Sequence, residues 1–71
     1  MATKIELETD GSFWKILVAE GDEVQAGDTL FIMEVMKMEV PYEAPAAGRV
    51  AKLHVAEGDL GQEGDIALEI E

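Results

Sequence analysis

Sliding the chain over itself by 37 residues lays Gly11–Glu34 (GSFWKILVAEGDEVQAGDTLFIME) on Gly48–Glu71 (GRVAKLHVAEGDLGQEGDIALEIE) without a gap, and 11 of the 24 positions are identical. The shared residues include an unbroken Val-Ala-Glu-Gly-Asp run, Val18–Asp22 over Val55–Asp59. Two copies are too few for a stacked solenoid, which needs about three units to bury a continuous core. The repeat therefore predicts a closed fold in which two halves, 11–34 and 48–71, pair about a two-fold-like axis.

A chain of 71 residues has room for one domain spanning 1–71. At this size folding buries only about 60% of the unfolded surface, so the core must be shared between the halves. No cysteine is present to staple it, and packing alone must stabilise the fold. Met1-Ala2-Thr3-Lys4 lacks an apolar leader core, and no apolar run approaches the roughly 20 residues that span a bilayer. A soluble cytoplasmic protein is the default expectation. Sixteen acids against five bases, a net charge of −11, argue against nucleic acid or an anionic membrane as partner, since both need a basic footprint.

Short runs of alternating apolar residues bounded by Gly, Asp and Pro predict an all-β chain. The candidate strands are 3–7, 13–18, 29–35, 38–42, 50–55 and 66–70, with short pieces at 23–25 and 60–62. Gly21-Asp22, Gly27-Asp28 and their copies supply turns, because Gly adopts positive φ freely and Asp bonds its own backbone. Gly11 and Gly48 are grouped with these turn glycines. Alternation along the strand assigns Trp14, Ile16 and Val18 inward and Phe13, Lys15 and Leu17 outward. Trp14 over Ala51 then predicts a large and a small residue exchanging volume across the two-fold. Gly61 over Val24 and Ala67 over Leu30 predict a second half with less apolar volume and lower stability.

Lys37 lies outside both copies. The mirrored fragments Met33-Glu34-Val35 and Met38-Glu39-Val40 predict two strands joined by Met36-Lys37, which puts the lysine at a hairpin tip. Two-residue hairpin turns favour Gly, Asn or Asp at their centre. Neither central residue here is one of these, and a broken local rule marks a functional position. The bland alternative is a solvated surface lysine between two core methionines.

With these segments in hand, the chain resembles the biotinyl/lipoyl carrier domains, and most of all the small biotin attachment proteins and biotin carboxyl carrier domains. The resemblance runs through the Val-Ala-Glu-Gly-Asp turn, 24–30 leading into the hairpin, the Ala44-Pro45-Ala46-Ala47-Gly48-Arg49-Val50 segment and the second Gly-Asp turn. Met36-Lys37-Met38 resembles the biotinylation motif, whereas lipoyl domains usually carry Asp-Lys-Ala. Val35 stands where many carboxyl carriers have Ala, and the tight Val18–Val24 connection has no room for the protruding thumb loop of some bacterial carriers.

The resemblance implies a flattened β-barrel or sandwich of two four-stranded antiparallel sheets, a barrel-sandwich hybrid. It implies covalent biotin on Lys37, with Glu34, Val35, Met36 and Met38 as the recognition motif, and no catalytic residues or metal ligands in the domain. A biotin protein ligase would attach the cofactor. A biotin carboxylase and a carboxyltransferase would be the further partners, the acceptor commonly being an acyl-CoA. An ordinary lysine amine is protonated near neutral pH and needs a base to become a nucleophile, so the carrier presents and the ligase supplies chemistry. The single histidine, His54, falls on the expected outer face without cysteine to share a metal. The many carboxylates read as a solvated charge shell. A lipoyl carrier of an oxo-acid dehydrogenase or glycine-cleavage system, and an unmodified interaction module, are the two other readings.

Overall fold

The computed structural model describes residues 3–71. They form eight strands: β1 (Thr3–Glu6), β2 (Gly11–Ile16), β3 (Glu23–Val24), β4 (Thr29–Val35), β5 (Met38–Glu43), β6 (Gly48–Leu53), β7 (Leu60–Gly61) and β8 (Ile66–Ile70). They build two four-stranded antiparallel sheets in the orders β1-β8-β6-β3 and β5-β4-β2-β7. The 37-residue offset carries every strand of one sheet onto the equivalent strand of the other. The expected eight-stranded, two-sheet sandwich is therefore the observed fold.

The halves trade short strands. β3, from the first copy, pairs with β6 of the second, and β7, from the second, pairs with β2 of the first. The Val-Ala-Glu-Gly-Asp run explains how each exchange is held. Gly21 and Gly58 adopt φ of 93° and 90°, a conformation that disfavours any side chain. The Asp22 and Asp59 carboxylates accept from the amides of Ala19 and Ala56 at 2.9 Å and close the turns. Glu20 reaches across to accept the Leu53 amide at 2.9 Å, and Glu57 accepts the Ile16 amide at 3.0 Å. Asp28 and Asp65 repeat the turn closure on the amides of Gln25 and Gln62. The four aspartates close their turns as expected, whereas Glu20 and Glu57 are structural acceptors and not the solvated charges expected of them. Among the described residues no buried side-chain nitrogen or oxygen lacks a hydrogen-bond partner, as a low-dielectric core demands.

The expected faces hold for Lys15, Ile16, Leu17 and Val18 and are reversed at Phe13 and Trp14. Phe13 is 1% exposed and Trp14 44%. The cause is a β-bulge: Phe13 pairs with Met33 while Lys15 pairs with Ile32, leaving Trp14 as an extra residue. An equivalent shift places Ala51 between Val50 and Lys52 on β6. A bulge breaks strict alternation, so Phe13 points in, Trp14 and Lys15 point out, and Ile16 returns toward the core. Phe13 packs tilted on Phe31 with ring centroids 5.3 Å apart, and Phe31 stacks on Tyr42 at 4.7 Å.

Volume exchange across the two-fold does occur, but in the core. A Cβ placed on buried Gly61 would lie 2.5 Å from Leu7 Cδ1 and 3.0 Å from Phe13 Cε2. The related positions carry Val24, Ala44 and Val50, also buried. A glycine beneath two large residues on one side thus answers a valine with two small ones on the other, which keeps the density native-like. Gly61 leaves no shortage of volume for Leu60 to fill, and Leu60 is itself exposed. The premise of a poorly filled second half fails at this position.

Gly11 and Gly48 begin strands and are not turn glycines. A Cβ on either would come within 2.7 Å of the Glu34 carbonyl oxygen or 2.6 Å of the Glu71 carbonyl oxygen. Close backbone approach is what these two positions require.

If the bulge sets the faces, Phe13→Ala should lower unfolding free energy by about 3–5 kcal/mol, and Trp14→Ala by about 1 kcal/mol or less. Urea denaturation of the two variants checks this, and equal losses would restore Trp14 to the core.

Candidate functional site

β4 and β5 form the most extensively paired hairpin of the chain. Glu34 lies opposite Glu39 and Val35 opposite Met38, so the turn consists of Met36 and Lys37 alone. Their φ values are 52° and 66°, and they are the non-glycine residues of positive φ among the described residues. Both central residues left-handed is the signature of the type I′ turn, whose twist matches the flanking strands. Each non-glycine residue held there costs about 1–2 kcal/mol, and the pairing of β4 with both β2 and β5 over-determines the turn.

The five residues predicted for the site fall together at this tip. Lys37 is exposed. Met36 is 91% and Met38 67% exposed, which rules out the reading of the two methionines as core side chains. Val35 is half-buried and packs over Gly11, its Cγ2 lying 2.9 Å from where a Cβ on that glycine would be. Glu34 is exposed and faces Ser12 on β2 as well as Glu39 on β5. Sequence reasoning missed Gly11, which lets β2 close against the base of the hairpin. The signal was its identity with Gly48, misread as a turn.

The electrostatics are simple. Among the described residues the ion pairs are Arg49–Glu23 at 3.7 Å and His54–Glu69 at 2.8 Å, and neither involves the hairpin. Glu34 and Glu39 sit as like charges opposite one another, which disfavours the pairing by a few tenths of a kcal/mol or more. His54 lies on the outer face of the other sheet, and its hydrogen bond, followed by its charge and those of Lys4 and Lys52, holds the Glu69 carboxyl below its ordinary value of 4.5. No hydrogen bond to the Lys37 amine is present among the described residues. The site can therefore present a primary amine for acylation on a fixed, projecting turn, and a base must come from elsewhere.

Beside the hairpin runs an open groove lined by Asp10, Gly11, Ser12, Glu34, Leu60 and Gln62. Leu60 stands at its lip, 86% exposed. The two-fold repeats the groove at the far end of the fold, between Glu23, Gln25, Gly48, Arg49 and Glu71.

A family model described as "Biotin-requiring enzyme" matches residues 1–70. The chain is 38% identical over 66 residues to the biotin/lipoyl attachment protein of Bacillus subtilis, covering 93% of this chain and 90% of that one. It is 42% identical over 66 residues to the biotinylated protein TB7.3 homolog of Mycobacterium leprae, covering 93% of each. Among solved structures, the urea carboxylase of Kluyveromyces lactis contains a segment that superposes with a TM-score of 0.92 at 38% identity. That match covers all of this chain and 6% of the carboxylase chain.

Replacing Met36-Lys37 by Asn-Gly should raise unfolding stability by about 1–2 kcal/mol, because those residues accept the type I′ turn without strain. Urea denaturation measures it, and an unchanged or lowered midpoint at constant slope would show that the turn stores no strain.

Proposed function

Starting from the chain's membership of the biotin/lipoyl attachment family, we propose that it is a biotin carboxyl carrier whose acceptor is Lys37. The observation that carries this reading is the lysine itself: it stands at the centre of a strained two-residue turn, between two exposed methionines, with no hydrogen bond or ion pair to its amine among the described residues. A lysine serving only solubility would not need a backbone conformation that costs free energy. Lys15, by contrast, lies 5.4 Å from the Trp14 ring, and Lys4 and Lys52 face Glu69 within the other sheet.

The residues present fit the group. Lys37 is exposed at the turn, and Gly11 lets β2 close against the base of the hairpin. Attachment joins the Lys37 Nζ to the biotin carboxyl carbon as an amide and breaks the acyl–phosphate bond of a biotinyl adenylate. AMP leaves, and a base of the ligase takes the proton. One positive charge disappears, so the net charge passes from −11 to one unit more negative.

When bound, biotin supplies a ring nitrogen able to carry a carboxyl group; that chemistry belongs to the cofactor and to partner active sites. The domain holds the arm's root rigid while the arm moves, which raises the effective concentration of the cargo at a biotin carboxylase and then a carboxyltransferase. An acyl-CoA is the acceptor class we favour. The methionines flanking Lys37 and the biotinylated relative favour biotin over lipoate.

Intact-mass measurement after incubation with biotin protein ligase, ATP and biotin, in parallel with lipoate ligase and lipoate, tests the proposal. We expect one biotinyl adduct, absent from Lys37→Ala. A lipoyl adduct alone would move the protein to acyl transfer, and no adduct in either arm would leave only an interaction module.

A further inference from the structure

Because both sheets are built on one backbone plan, each outer face shows what the fold requires of the other. Across β1-β8-β6 runs the row Lys4, Glu69, Lys52. Ala51 occupies the bulge beside it, and His54 Nε2 donates to the Glu69 carboxylate at 2.8 Å. This is an ordinary solvated sheet face, with Glu69 between two lysines and bonded to His54. The positions related by 37 residues form the row Pro41, Ile32, Lys15 across β5-β4-β2. Trp14 occupies the bulge, and Leu17 takes the place of His54.

Nothing in the fold demands those apolar residues, since the positions related to them by 37 residues hold Lys, Glu, Ala and His. Trp14 is 44% and Leu17 51% exposed. The Lys15 ammonium lies 5.4 Å from the Trp14 ring centroid, a contact that accounts for part of the indole but not for Leu17, Ile32 or Pro41. Contiguous exposed apolar residues edged by polar ones mark an interaction surface. The next row toward the hairpin continues the contrast. On the first sheet Arg49 pairs with Glu23 at 3.7 Å. On the second, Ser12 and Leu60 replace them, and Glu34 and Glu39 face each other without a cation.

We propose that this outer face, centred on Trp14, Leu17, Ile32 and Pro41 and edged by Glu34 and Glu39, is where biotin protein ligase seats the domain while it acylates Lys37. This rests on the biotin-carrier reading above. The chemistry asks for a partner surface with an apolar centre and a cationic rim on the side nearer the lysine. Reach selects the ligase over the carboxylase components. An unmodified lysine places its amine only about 6 Å from its Cα, so an enzyme that acylates it must close over the hairpin and what adjoins it. An enzyme acting at the end of the biotinyl arm can leave the domain body untouched. Ile32 lies five residues from Lys37, about 17 Å along a strand. An interface of about 800 Å² per partner spans roughly 30 Å, enough to take in the tip and the apolar row on a body 32 Å long and 18 Å across.

The test gives this face the composition of its counterpart in the variant W14A/L17H/I32E/P41K. Initial rates of biotinylation by purified ligase with ATP and biotin are followed by intact mass against carrier concentration. The expected result is a KM for the carrier raised at least about tenfold with kcat little changed, the mark of lost binding that precedes chemistry. The control K52A/H54A, on the opposite face, should keep the wild-type KM. A folded fourfold variant modified with the wild-type KM would overturn the proposal.

Should the fourfold variant not fold, the wild-type chain labelled with 5-fluorotryptophan at its single tryptophan gives the same answer by 19F NMR. The Trp14 resonance should shift or broaden as ligase is added. A resonance unmoved by a ligase that biotinylates Lys37 would overturn the docking face and leave the carrier reading standing, whereas a wild-type chain that is never biotinylated would overturn both.

Discussion

The structure depends on backbone hydrogen bonds that neither half can make alone. Each sheet takes its short edge strand from the other copy, and each Glu of the repeated turn satisfies an amide across the two-fold. The same reciprocity ties Gly27 to Ala44 and Gly64 to Leu7 through backbone bonds of 2.8 and 2.9 Å. A small chain without disulfides gains from this arrangement because its one core is closed by both halves at once, so local opening of one half exposes the other. The small core is also efficient, with Leu7 and Phe13 over Gly61 on one side answered by Ala44 and Val50 over Val24 on the other.

That closure is what makes a strained hairpin affordable. β4 is hydrogen-bonded on both sides, to β2 and β5, and its inward residues Leu30, Phe31 and Met33 are fully buried. With the register of the strands fixed by the core, the two residues between Val35 and Met38 have only the left-handed turn open to them. Packing at the centre of the molecule thus sets the backbone conformation at its tip. The result is a lysine held at a defined place on the fold, with no side chain among the described residues bonded to its amine.

Much of this was legible in the sequence. The repeat pointed to two halves closed about a two-fold, the family resemblance implied the two four-stranded sheets, and the Met36-Lys37 turn stood out because its residues suit that conformation poorly. What was not legible were the bulges at Trp14 and Ala51. Whether a strand carries an extra residue is decided by the register of its partner, and alternation read along one strand passes over it; the inversion of Phe13 and Trp14 followed. Gly11 and Gly48 were misjudged for a similar reason, because the carbonyls that crowd them belong to residues far along the chain. Glu20 and Glu57 of the repeated turns looked like surface charge because the amides they accept from lie in the other half.

With the faces corrected, the domain has two unlike sides built on one plan, one charged, the other apolar around the bulge, and the Lys37 hairpin belongs to the second. The central claim is that the fold itself holds Lys37 in a left-handed turn before any cofactor or partner arrives. Residual dipolar couplings of the unmodified chain in solution measure φ at Met36 and Lys37 most directly. The account predicts single, positive values near the 52° and 66° of the structure. Couplings that average over negative φ would show a loose tip, and would contradict it.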